Sequence, residues 1–158
     1  MFEAKVSLFD PLAFKTAPLR RIAQYWLNKA TAEHLPGRTD IRPEELRQDL
    51  PYLYLVDVMR DPLGFRFRLV GTKVSQWTGR DFTGVKVEAV EYGPEWARIF
   101  ADYKQVLDTR MPHRAELTAP WIDREFWYYE RLLAPLASDG RTIDMLLGAL
   151  HVVEKPQP

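Results

Sequence analysis

The run FRFRLVGTKVSQWTGRDFTG, residues 65–84, decides how the rest of the chain is read. Phe65, Phe67 and Leu69 alternate with Arg66 and Arg68, the period of a strand with one buried face. The strand stops at Gly71. Thr72 to Thr78 is long enough for two helical turns, and Gly79 follows as a residue that ends a helix by adopting the left-handed conformation without steric cost. Arg80-Asp81-Phe82-Thr83-Gly84 then forms a compact loop. A strand that passes through a short helix into such a loop builds one wall of a pocket.

Working outward, Tyr52 to Val58 is apolar on both faces and predicts a strand covered on both sides. Asp61-Pro62-Leu63-Gly64 has turn chemistry, so the two strands predict a hairpin. Upstream, Leu19, Ile22, Ala23, Trp26 and Ala30 recur at helical spacing, and Pro18 suits a first turn. An amphipathic helix is expected over 18–33, ended by His34-Leu35-Pro36-Gly37. Residues 40–50 read as a loop with a short helix opened by Pro43. Residues 1–17 show no periodicity and predict a flexible arm. Downstream of an irregular stretch, Pro94 opens the longest helix, to about Thr109, with Trp96, Ile99, Phe100, Tyr103 and Leu107 on one stripe.

The last third reads as strands: His113 to Ala119, Phe126 to Ala137 and Thr142 to Val153. Asp139-Gly140 supplies a hairpin turn, and Gly148 marks a bulge or a close approach of another group. Residues 154–158 predict a disordered tail. The 158 residues support one domain over 18–153 with its own core. Five strands split two-then-three around helices make an α+β fold. Strands 126–137 and 142–153 are apolar on both faces, so the second face needs a cover. The first helix supplies it within the chain or across a two-fold axis, and a homodimer is expected.

Composition narrows the functions. Twenty-two basic residues balance 22 acidic ones, which gives no electrostatic footing for a nucleic-acid partner. No apolar run approaches the ~20 residues of a membrane span, and the first residues lack the pattern of a secretory leader. A cytoplasmic protein with no membrane partner is expected. Cysteine is absent, which excludes disulfides, thiolate nucleophiles and cysteine metal sites. His34, His113 and His151 lack the spacing of a helical metal pair, and no serine sits in a nucleophile elbow. Gly71-Thr72-Lys73 lacks the upstream glycine of a phosphate loop, so Gly71 is read as a residue of backbone geometry.

Leu35-Pro36 with Arg38, Asp40-Ile41 and Pro43, followed by Arg68-Leu69-Val70-Gly71-Thr72 and then Gly79-Arg80-Asp81 with Thr83-Gly84, carry a resemblance. Over about Trp26 to Leu150 the chain resembles a group of small bacterial proteins of the PAS superfamily, PAS family five. The resemblance implies a PAS-like five-stranded antiparallel sheet with the middle helices on one face, a pocket between them, and the N-terminal amphipathic helix as an extra element. It implies a non-enzymatic sensory or ligand-binding module in bacterial signalling, acting through dimerisation or a signalling partner. The pocket would take a small-molecule ligand among Trp77, Phe82, Trp96, Phe100, Tyr103, Trp127 and Tyr129. His113 would lie on a lining strand, and Arg114 and Arg131 could grip an acidic ligand.

The resemblance leaves the cofactor unknown and excludes some. A cysteine-linked flavin needs cysteine where Gly79-Arg80-Asp81-Phe82 has Phe82, and a thioester chromophore has no attachment point. Haem in such proteins commonly uses a histidine on the long helix, and residues 94–109 contain none, so haem is not expected. Two other readings stand beside this one. The first is a protein–protein interaction module with a filled core. The second is a small cone-shaped α+β enzyme of isomerase or dehydratase type, with His113 and Asp144 as its acid–base pair.

Overall fold

The computed structural model of the protein describes residues 9–90, 92–119 and 124–154, the side chains of 119, 124–127 and 154 excepted. The elements follow the order α1 (Ala17–Lys29), β1 (Leu53–Met59), β2 (Gly64–Val70), α2 (Thr72–Thr78), α3 (Trp96–Thr109), β3 (His113–Ala119), β4 (Arg124–Leu136) and β5 (Met145–Glu154). The five strands form one antiparallel sheet in the order β2-β1-β5-β4-β3. The hairpin and the three-stranded meander meet at the β1–β5 pairing. Here Tyr54 lies opposite Gly148, and a Cβ built on Gly148 would fall 2.2 Å from the Tyr54 ring. Gly148 therefore marks a close approach, and its missing side chain makes room for the tyrosine.

Local chemistry sets the ends of the elements. Gly79 stops α2 at φ 80°, and Gly140 turns the β4–β5 hairpin at the same φ. The first helix ends at Lys29, four residues before the expected Glu33. The competition comes from Thr31, whose hydroxyl accepts from the His34 N–H at 3.0 Å and holds a turn in place of another helical turn. Residues 38–52 fold as three 3₁₀ turns, Arg38–Asp40, Pro43–Glu45 and Leu50–Tyr52.

One expectation fails inside the deciding stretch. Leu55 pairs with Leu69 and Val56 with Phe67, which leaves Arg68 without an opposite number. This is a β-bulge, and it reverses the faces of every residue after it. Phe67 and Val70 share one side of the sheet, while Leu69 turns to the other and is 48% exposed. Arg68 itself points out, 3.0 Å from the Asp57 carboxylate.

Each face of the sheet has its own cover. On one side lie α2 and α3, with Phe65 meeting the Tyr103 ring at 5.1 Å between centroids. On the other lies α1, whose Leu19, Ile22, Ala23 and Trp26 are fully buried. The Trp26 indole N–H donates to the Pro135 carbonyl at 2.9 Å. The first helix thus covers the second face from within the chain. Arg21 ties it to the buried Asp49 through two bonds, at 2.7 and 3.0 Å.

The flexible arm expected over 1–17 is corrected over its described part. Residues 11–13 form a 3₁₀ turn capped by Asp10, and Phe14 is 1% exposed. The Lys15 and Thr16 backbone N–H groups and the Thr16 hydroxyl all donate to the Glu130 carboxylate, at 2.6, 3.1 and 2.8 Å. A ring and one buried acid hold this segment, and neither leaves a periodic signature. Residues 1–8 and 155–158, the rest of the expected arm and tail, lie outside the described residues.

Candidate functional site

Between the sheet and the middle helices lies a cavity of about 90 Å³. Tyr54, Phe67 and Leu150 line it from the sheet, Val74 and Tyr103 from α2 and α3, and Phe82 and Tyr92 from the segment between those helices. The sheet residues share a face because strand side chains alternate, with the Arg68 bulge bringing Val70 to the same wall. The three tyrosines, Thr78 and Arg131 are the polar members of a lining otherwise made of apolar side chains. Burial pushes all three phenols above their ordinary range, so they stay protonated.

Among the described residues, the one charged residue lining this cavity is Arg131 on β4, only 5% exposed. Its Nη2 donates to Asp102 Oδ2 at 2.6 Å, and its guanidinium lies 5.9 Å from the centre of the Tyr103 ring. Its Nε is buried and has no hydrogen-bond partner among the described residues. Asp102 comes from α3 and is bracketed from its other side by His113, whose Nε2 is 3.9 Å from Oδ1. An acid on a helix and a buried base on the strand beneath it thus form a net-neutral, partly buried pair, with a histidine as third member.

Burial pushes the His113 imidazole below its ordinary value of 6.5. Asp102 opposes the shift, while Arg131 and Arg98 add to it. The fold therefore favours neutral His113, whereas the unfolded chain takes up the proton near pH 6.5. The stability held by this group is complete above that pH and is lost as pH falls below it. An NMR titration is expected to place the His113 midpoint below 6.5; a midpoint above it would show that Asp102 outweighs burial.

The expected site residues are only partly brought together. Phe82 and Tyr103 line the cavity. Trp96 and Phe100 lie beside it in a ring cluster, Trp96 stacked on Tyr92 at 5.5 Å and Phe100 edge-on to Phe65 at 6.1 Å. Tyr129 is buried and His113 stands behind Arg131, and neither lines the space. Trp77 is placed elsewhere: it stacks on Tyr52 at 5.6 Å and meets His151 edge-on at 5.1 Å. Arg114 is corrected to the opposite face, where it bonds Glu130 and Glu116 and lies 5.7 Å from the centre of the Phe14 ring. The Trp127 side chain lies outside the described residues.

The acid beside His113 is Asp102, while Asp144 accepts hydrogen bonds from the Ser138 N–H and hydroxyl, so the His113–Asp144 pair is not formed. Sequence reasoning missed Tyr54, Phe67, Tyr92 and Asp102. Only Asp102 carried a signal, as an acid one position before Tyr103 on the apolar stripe of the long helix.

Comparisons with known proteins agree with this architecture. A family model for the PAS domain matches residues 14–151. No curated protein is matched. Among solved structures, the LOV protein of Rhodobacter sphaeroides superposes with a TM-score of 0.53 at 21% identity, over 66% of this chain and 60% of that one. A light-oxygen-voltage domain studied with a flavin analogue gives 0.52 at 15% identity, over 71% of this chain and 84% of that one. The chain spans about three fifths of the Rhodobacter protein's length. At these identities the likeness shows the fold alone.

Proposed function

Because the chain belongs to the PAS domain family, whose members are typically sensory modules of signalling proteins, we propose that it is a non-enzymatic cytoplasmic sensor. In this reading it holds one small molecule in the cavity between the sheet and α2 and α3. Occupancy then passes to a signalling partner or to a second copy of the chain. The observation that carries the reading is Arg131: a buried cation with an unpartnered Nε, lining a cavity whose other walls are mostly apolar. Ligand pockets have this make-up, apolar walls with a few polar groups that orient the guest.

The size and charge of the site describe the guest. An apolar cavity of roughly 150 Å³ accepts benzene, so by proportion a space of about 90 Å³ takes a smaller molecule, of about four heavy atoms. Asp102 already neutralises Arg131, and one N–H donor is left over. A compact apolar body with one acceptor oxygen, such as a ketone, an ester or a carboxylate, satisfies it. A flavin held as in a LOV protein does not fit. The chain has no cysteine, Phe82 stands in the corresponding loop position, and the cavity is far below the roughly 300–1,000 Å³ of larger ligand sites.

Thermal-shift and calorimetric titration with dichloroethane, acetone and acetate, each of a size the cavity admits, test the reading. The two acceptor-bearing probes are expected to bind more tightly than dichloroethane. Arg131→Met is expected to remove that preference, a loss of about tenfold or more for a bond to a charged donor. Val74→Phe, which fills the space without touching the ion pair, should abolish binding of all three. If none of the probes shifts the wild-type protein, ligand sensing in this cavity fails, and an interaction module with a filled core becomes the better reading.

A further inference from the structure

The sheet has a second and larger cavity on its opposite face, about 240 Å³. Its floor is Leu53 and Leu55 of β1 and Leu147 of β5, and its roof is the segment of 3₁₀ turns, through Ile41 and Leu46. Leu69, turned to this side by the Arg68 bulge, and Leu50 are 48% and 36% exposed, so the space opens to solvent past them. Among the described residues, Arg38 is the one charged residue lining it. Its Nη1 donates to the Ile41 carbonyl at 3.1 Å, and among the described residues its guanidinium has no carboxylate partner. Arg38, Ile41 and Pro43 belong to the motif singled out in the sequence, and the first cavity makes no use of them.

A slot walled by leucine and isoleucine offers no donors or acceptors to a peptide or a sugar. A single unpaired cation on its lining asks for one negative charge. The two together fit an amphiphile with a hydrocarbon tail and a carboxylate head. By proportion with the benzene-sized cavity, this volume holds a tail of on the order of ten carbons. We propose that the second cavity binds a medium-chain fatty acid, with the tail over Leu55 and Leu147 and the carboxylate on Arg38. A guanidinium can hold a carboxylate through two parallel bonds, and its weak hydration suits a partly buried position. Arg38 stays in contact with the Ile41 carbonyl while doing so, which fixes the cation at the slot.

The experiment is calorimetric titration of the full chain with monomeric decanoate, decanol and butyrate. Decanoate is expected to bind at one site, decanol about tenfold more weakly, and butyrate not measurably. Arg38→Gln should bring decanoate down to the affinity of decanol and leave decanol unchanged. Leu69→Trp should weaken both by about tenfold or more, since the indole fills the mouth from an exposed edge position that the fold tolerates. Val74→Phe, in the first cavity, should change neither. The proposal is overturned if decanoate gives no binding up to about 1 mM. It is also overturned if decanoate and decanol bind equally, or if Val74→Phe abolishes binding while Leu69→Trp leaves it intact. A dimer that Leu69→Trp converts to monomers, with no decanoate uptake by either form, would assign the slot to a second copy and overturn it too.

Discussion

Gly71→Ala lowers the stability of the protein by about 3 kcal/mol or more, as a fall in the urea midpoint. The backbone at Gly71 is ordinary, with φ −66° and ψ 156°, so the need is for space and not for conformational freedom. A Cβ there would lie 2.5 Å from the Pro51 carbonyl oxygen and 2.7 Å from those of Leu50 and Leu53. All three are main-chain atoms of the turn that leads into β1, and none can rotate away as a side-chain tip can. The Gly71 N–H also donates to the Leu53 carbonyl at 2.7 Å, so any retreat breaks the junction of β1, β2 and α2. Gly79→Ala is the contrast. Its Cβ meets nothing within 4 Å, and its φ of 80° should cost only about 1–2 kcal/mol. Equal midpoints for Gly71→Ala and wild type would refute the packing argument.

Glu130→Ala has the second large effect, about 3–5 kcal/mol, with a distinctive distribution. Glu130 is fully buried and accepts from the Lys15 and Thr16 N–H groups, the Thr16 hydroxyl and Arg114 Nε. Removing the carboxylate orphans two backbone donors at the entry to α1 and strips Arg114 of a partner it meets at 3.0 Å. Hydrogen exchange should show the amides of α1 losing protection while β4 and β5, paired along their length, keep most of theirs. Uniform loss across the sheet would mean that the acid supports the strands and not the docking of the helix. Glu130→Gln should recover only part of the loss, because its NH₂ faces donors.

These two sites show why some of the fold was legible in the sequence and some was not. Gly79 and the Asp139-Gly140 turn act through their own backbone, so local reading finds them. The alternation of Phe65, Phe67 and Leu69 was read correctly up to Arg68 and wrongly beyond it. A bulge is a property of the pairing between β1 and β2, and no window on one strand contains it. The cavity follows the same rule. Phe82 and Tyr103 sit on segments expected to face the middle of the domain, whereas Tyr54 reaches the site because β1 pairs with β5, nearly a hundred residues on.

Arg114 and Arg131 look alike in their strands, each an arginine followed by an apolar residue. What separates them is the acid each one meets. Glu130 draws Arg114 toward the first helix, and Asp102 holds Arg131 under the third. A glutamate within the apolar run YYERLLAPL was the available sign that something must neutralise it there. The same acid bears on how the second face of the sheet is covered. With Glu130 and the Trp26 indole bond anchoring it, α1 serves its own chain.

The extra residue at Arg68 makes β2 a partition. Strand alternation sends Leu69 and Val70 to different compartments, and the bulge decides which goes where, with Leu69 in the lining of the larger slot and Val70 in that of the smaller cavity. A trans peptide is a stiff plane that holds neighbouring Cα atoms about 3.80 Å apart. Whatever displaces the strand at one of these residues must therefore move the other, and the rooms on either side of the sheet share a single hinge post.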